Sequence, residues 1–211
     1  MRYKAVIFDL DGVLVITDNY HYLAWKSVAD KLGIFFDKTI NERLRGVSRM
    51  ESLDIILEKS DEVFNNDKKI QIAEEKNNIY KEYLKELTDK DLLENVKYTL
   101  LKLKEKGVKI AIGSSSKNTK FILKQVGIYE IFDAISDGSN IKFSKPHPEV
   151  FMKAAEKLSI EYKECLVIED ADAGCIAGKS ASMDVVGISS AKDSKFADYH
   201  VNNIIEILDI I

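Results

Sequence analysis

The chain has 211 residues, 45% of them hydrophobic and 31% charged, with 31 Lys and Arg against 35 Asp and Glu and a formal net charge of −4. That composition describes a folded chain with enough apolar material for a real core, and it excludes a disordered one. There is no basic stripe with interleaved aromatics and no apolar run near the roughly 20 residues of a membrane helix, so neither nucleic acid nor a bilayer is an expected partner.

In chain order, Lys4 to Phe8 is a short apolar run of the kind that forms a strand buried on both faces. It closes on Asp9-Leu10-Asp11-Gly12 and reaches charged residues too early for a signal peptide, so a cytoplasmic protein is expected. Residues 16 to about 90 hold no strand pattern. Tyr20, Leu23, Ala24, Val28 and Leu32 fall at helical spacing, and Ile72, Ala73, Tyr80, Tyr83, Leu84 and Leu87 continue the theme. Ser48-Arg49-Met50-Glu51 is a capping-box pattern ahead of Leu53, Ile56 and Leu57.

From Val96 onward strands and helices alternate. A helix over Val96, Leu100 and Leu103 stops at Gly107, a strand runs Lys109 to Gly113, and a helix covers Phe121, Ile122 and Val126. The polar stretch Ser136 to Lys145 reads as a loop near the sheet edge, followed by a helix from Pro148 to Leu158. Strands follow at Cys165 to Ile168 and Val185 to Ser189. Cys165 and Cys175 match no zinc or redox spacing and read as small buried residues. The expected fold is α/β: a Rossmann-like parallel sheet with helices on both faces, formed by residues 1–15 and 91–211, with an all-helical cap inserted at 16–90.

Chemistry gathers where the strands end. Asp9 and Asp11 lie two residues apart, so a persisting extended path puts both carboxylates on one side; solvated strand-end acids are the plainer alternative. Gly113-Ser114-Ser115-Ser116-Lys117-Asn118 offers small hydroxyls and free N–H groups at a helix start, which suits an anion or simple capping. Lys145-Pro146 precedes a helix, and Glu169-Asp170 ends an apolar strand with Gly174 following. Adjacent acids after a buried strand are costly unless they meet a cation. Carboxylates, hydroxyl, lysine and carboxylates closing successive strands of one sheet can hold Mg²⁺ and a phosphate together.

These four motifs, in this order, resemble the haloacid dehalogenase superfamily of phosphotransferases over essentially the whole chain. The resemblance implies Asp9 as nucleophile and Asp11 as general acid/base. It implies Mg²⁺ on Asp9, the Asp11 carbonyl, Glu169 and Asp170, with Ser114 and Lys145 holding the phosphoryl group. The cap segments Tyr20-His21-Tyr22 with Ala24-Trp25-Lys26, Arg45-Gly46-Val47-Ser48-Arg49 and Lys76-Asn77 resemble the β-phosphoglucomutase branch, as does Ser116-Lys117-Asn118.

That similarity implies a monomeric isomerase acting on sugar phosphates, β-glucose 1-phosphate and glucose 6-phosphate, through an aspartyl-phosphate and a bisphosphate intermediate. A sugar-phosphate or small-metabolite phosphatase is the alternative. It further implies that Gly46, Val47, Ser48 and Arg49 grip the distal phosphate, helped by Ser115, Ser116, Lys117 and Asn118, and that His21, Trp25 and Lys76 serve cap closure. Taken alone, Arg49 and Lys76 also fit exposed charges, and His21 and Trp25 fit core or hinge residues. Three places depart from the pattern, one of them Asp18-Asn19, where a Glu-Pro pair is common. Ile16 stands where many relatives carry Asp, and Ser182 stands where a helix-ending glycine is usual, at a cost of about 1 kcal/mol if its backbone is left-handed.

Overall fold

The computed structural model describes residues 2–44 and 47–211. Six parallel strands form one sheet: β1 (Ala5–Phe8), β2 (Lys109–Gly113), β3 (Ala134–Ser136), β4 (Cys165–Glu169), β5 (Asp184–Gly187) and β6 (Tyr199–His200). Their order is β3-β2-β1-β4-β5-β6. The order reverses between β1 and β4, so a crevice opens beside the C-terminal end of β1, where ligands of open α/β sheets bind.

Alternation along the strands feeds two cores. Val6, Phe8, Ile110, Ile112, Leu166, Ile168 and Val186 face one side, against α5 (Val96–Glu105) and α6 (Thr119–Gln125). Ala5, Ile7, Ala111, Val167 and Val185 face the other, against α7 (Glu149–Leu158) and α8 (Asp172–Ser180). Both cysteines are free and buried in this second core, the bland role expected of them.

The four expected strands form, with small differences. The last one ends at Gly187, because the chain then tightens into a 3-10 turn with Ser189 at φ +54°. Two strands escaped the sequence reading. β3 is three residues of half-buried edge and β6 is two residues, both too short to print a period. The segment from Ser136 to Lys145 is a loop next to edge strand β3, as expected, except that Ser136 closes the strand.

Between β1 and β2 the chain forms α1 (Asp18–Lys31), α2 (Lys38–Glu42), α3 (Arg49–Leu57) and α4 (Asn66–Leu84). Trp25, Val28, Ala29, Ile34, Phe36, Leu53, Ile56, Ile72 and Ala73 give these helices a core of their own. The path out and the path back run side by side: Val15 bridges Leu92, and the Leu93 amide donates to the Leu14 carbonyl at 2.9 Å. Ser48 caps α3 in a full capping box, its hydroxyl accepting from the Glu51 amide at 3.3 Å while its own amide donates to the Glu51 carboxylate at 2.8 Å. Ser182 sits at φ +59° directly after α8, the left-handed turn expected of a glycine. Ile16 is 56% exposed. Among the described residues no helix is long and apolar enough to cross a membrane.

Candidate active site

The strand ends bring the motif residues together. β1 stops at Phe8, and Asp9 follows in line, its amide donating to the Ile168 carbonyl at 3.0 Å. The chain then turns sharply at Gly12 (φ +77°), the turn that a glycine after Asp11 allows. Both carboxylates line one cavity. A side chain at position 12 would also strike Asp170, since a Cβ there lies 2.1 Å from its Oδ2.

Lys145 is buried between two acids, its ammonium donating to Asp9 Oδ1 at 2.5 Å and to Glu169 Oε1. Burial alone would depress that ammonium, but Asp9 and Glu169 hold it above the ordinary lysine value. The Glu169 carboxylate also accepts the amides of Asp170 and Ala171, at 3.0 and 3.2 Å. Burial raises the carboxyl of Glu169 to about 7 and that of Asp170 to about 9. Carboxylate oxygens of Asp9, Glu169 and Asp170 lie within 4.8 Å of one another, all three residues buried. Clustered hard oxygens that resist ionising are a donor set that a small divalent cation satisfies. The Asp11 side chain lies outside this group.

Asp11 accepts a hydrogen bond from the Thr17 hydroxyl. Burial pushes its carboxyl up to about 7, opposed by that bond, so it exchanges protons near neutrality. Thr17 is bonded in turn to the Tyr80 hydroxyl at 2.9 Å.

Ser114 is buried at the end of β2, and its hydroxyl accepts the Ser116 amide at 3.2 Å. The Ser115 hydroxyl is buried with no hydrogen-bond partner among the described residues. Asn118 is buried and Lys117 exposed, and both face the same cavity as Ser115 and Ser116. Across from them stand Val47, Ser48 and Arg49 at the start of α3. Gly46 and Arg45 lie outside the described residues.

Asn77 joins the two walls. Its side-chain oxygen accepts from Arg49 at 2.8 Å and from Asn118 at 2.9 Å. Asn77 belongs to a motif pair, but nothing in the sequence marked it as the bridge, because its partners lie 28 and 41 residues away.

Lys76 is not the exposed helix charge that the residue taken alone also allows. It is 2% exposed, 2.8 Å from His21 Nδ1, and lies over the rings of Trp25 and Tyr80 at 5.0 and 4.5 Å. Burial drives the pKa of both Lys76 and His21 well below their ordinary values, and neighbouring positive charge (Arg49 for both, Lys76 for His21) adds to the shift. His21 and Trp25 line the cavity as well. Thr17 and Tyr80 were missed by sequence reasoning. Tyr80 sits one helical turn after Lys76, the only signal available, and it had been read as a core position.

The cavity encloses about 520 Å³, running from the acidic cluster to Arg49 and Asn118. The chain belongs to the haloacid dehalogenase-like hydrolase family, whose model matches residues 3–182. More particularly, it is 42% identical to a β-phosphoglucomutase of Bacillus subtilis over 92% of this chain and 87% of that protein. The crystal structure of β-phosphoglucomutase from Clostridium difficile superposes with a TM-score of 0.92 at 42% identity, covering 97% of this chain and 93% of that one. A phosphorylated carbohydrates phosphatase of Thermotoga maritima is 31% identical over 86% of this chain and 82% of its own length. The chain is an enzyme of this family.

Proposed function

We propose that this enzyme is a β-phosphoglucomutase, interconverting β-glucose 1-phosphate and glucose 6-phosphate with Mg²⁺ as its cofactor. One observation carries the reading: a single cavity has an acid-and-lysine cluster at one end and a guanidinium, an amide and a capped helix N-terminus at the other. Two anion sites suit a sugar that carries phosphate at both ends. A simple phosphatase needs only the first.

In this reading Asp9 and Asp170, with Glu169 and the Asp11 carbonyl, hold Mg²⁺, which supplies neutralising charge for the phosphoryl group when bound. Lys145 keeps the Asp9 carboxylate oriented for attack and offsets the charge of the phosphoryl oxygens, with Ser114 as a further donor. Phosphorylated Asp9 gives its phosphoryl group to the 6-hydroxyl of β-glucose 1-phosphate, and Asp11 takes the hydroxyl proton. The bisphosphate then turns over in the cavity. Asp9 attacks the phosphorus on O1, and Asp11 returns the proton to O1 as glucose 6-phosphate leaves.

Residues 16–90 act as the cap, and the side-by-side chain segments at Val15 and Leu92 support a hinge there. Closure would exclude water, the competing acceptor. His21, Trp25 and Lys76 line the cap side, and Val47, Ser48, Arg49, Ser115, Ser116, Lys117 and Asn118 receive the distal phosphate.

A sugar-phosphate phosphatase is the second reading, favoured by the Thermotoga relative. Replacing Arg49 with Ala separates the two. A mutase loses glucose 6-phosphate formation about 100-fold while hydrolysis of a small aryl phosphate barely changes. Equal losses on both substrates contradict the distal-phosphate role.

A further inference from the structure

Lys145 sits on a loop, and a lysine that must stay between two carboxylates needs that loop fixed. The loop from Asp137 to His147 carries no regular structure, yet it is bonded down at one point above all. Glu149, the first residue of α7, accepts the backbone amides of Lys142 and Phe143 on one oxygen, at 2.9 and 2.8 Å. Its other oxygen pairs with Lys153, one turn along the same helix, at 2.7 Å. Lys153 reaches back to donate to the Asn140 carbonyl, and the Asn140 side chain accepts the Asp137 amide at 2.6 Å.

The helix behind this clamp is packed into the core through Val150, Phe151, Ala154 and Ala155. Its Phe151 packs where Gly113 leaves room, since a Cβ on Gly113 would lie 2.5 Å from the Phe151 ring, and the Lys145 ammonium rests 4.9 Å over that ring. Ile141, Lys142 and Ser144 of the same loop form cavity wall.

We infer that Glu149 is a positioning residue: its carboxylate, gripping the amides of Lys142 and Phe143, sets where the Lys145 ammonium lies. Glu149 is set back from the reacting atoms and does not line the cavity. It acts two residues upstream of the lysine, by tying the loop to α7. The inference rests on the role given to Lys145 above.

The test is a double-mutant cycle between Glu149 and Lys145, read by calorimetric binding of orthovanadate with Mg²⁺. Orthovanadate occupies a phosphoryl site without needing turnover. In the parent, Glu149→Ala weakens vanadate binding by about tenfold or more, because displacing a positioned charge by about 1 Å costs up to a hundredfold. Glu149→Gln keeps an oxygen for the two amides and recovers most of the affinity; Glu149→Met, which has no oxygen to offer, replaces the Ala variant if that one fails to fold. In a Lys145→Ala background the Glu149 substitutions change the affinity by less than about twofold, since the group they position is gone. The same factor in both backgrounds overturns the inference, as does an unaltered affinity in the parent. If Lys145→Ala alone leaves vanadate binding unchanged, the role of the lysine falls, and the inference with it. That outcome is distinct from a cycle in which Lys145 matters but Glu149 acts independently.

Discussion

Gly174→Ala is an unusual test, because the substitution that normally favours a helix should damage this one. Gly174 lies in the first turn of α8, where exchanging Gly for Ala gains about 1 kcal/mol by propensity. A Cβ there would stand 1.9 Å from Cδ and Oε1 of Glu169, against ordinary contact that begins at 3.4 Å. The carboxylate must therefore withdraw by about 1.5 Å in a close-packed site. That distance breaks its bonds to Lys145 and to the amides of Asp170 and Ala171. Disrupting a buried charge pair costs about 3–5 kcal/mol, which outweighs the helix gain. The net loss of about 2–4 kcal/mol lowers the melting temperature by roughly 4–16 °C for a chain of this size. Disturbing one ligand also raises the Mg²⁺ concentration for half-activation by about 10–100-fold. Scanning calorimetry and a Mg²⁺ titration of activity read the two effects. Gly178→Ala is the control: its Cβ would meet the side chains of Val185 at 2.6 Å and Val167 at 3.4 Å rather than a carboxylate, so it costs stability without moving the Mg²⁺ requirement. A Gly174→Ala protein with parental melting and parental Mg²⁺ dependence would refute the packing argument.

Three further outcomes follow from the same structure. In EDTA the acidic cluster contributes less stability as pH rises from about 4 to about 9, whereas His21 and Lys76, with lowered pKa values, contribute in the opposite direction. Asp11, Glu169 and Asp170 have folded-state pKa values raised to about 7, 7 and 9, so their contribution is complete below the unfolded values and disappears as each ionises. Added Mg²⁺ raises melting temperature most at the alkaline end, and an equal Mg²⁺ effect at about pH 5 and about pH 9 contradicts the raised values. Asp9→Asn lowers transfer by more than about 10³-fold with the fold kept, checked by a coupled glucose 6-phosphate assay beside circular dichroism; residual turnover near the parental rate removes Asp9 as nucleophile. Ser182→Gly relieves a left-handed serine at φ +59° and raises the melting temperature by about 2–4 °C per kcal/mol regained; an unchanged or lower value shows that the turn stores no strain.

The sheet was legible because fully buried strands print as continuous apolar runs, as β1, β2 and β4 do. The edge strands β3 and β6 were not, since three and two residues carry no period. Helices α3 and α4 announced themselves through a capping box and apolar spacing, whereas five-residue α2 is too short to do so. The strand-end motifs named Asp9, Asp11, Ser114, Lys145, Glu169 and Asp170, and all six line one cavity. What stayed hidden depends on long-range approach. Lys76 looks like any helix lysine until Trp25, Tyr80 and His21 close over it. Asn77 gains its place only when Arg49 and Asn118 meet across the cavity. Glu149 reads as a first-turn acid, and its grip on the preceding loop depends on how that loop folds back.

The most direct measurement supplies β-glucose 1-phosphate, Mg²⁺ and a trace of the 1,6-bisphosphate, and records glucose 6-phosphate and free phosphate together. The account predicts glucose 6-phosphate accumulating without matching phosphate release, and a rate that depends on the bisphosphate primer. Phosphate release without glucose 6-phosphate, unaffected by primer, would contradict it and make this enzyme a phosphatase.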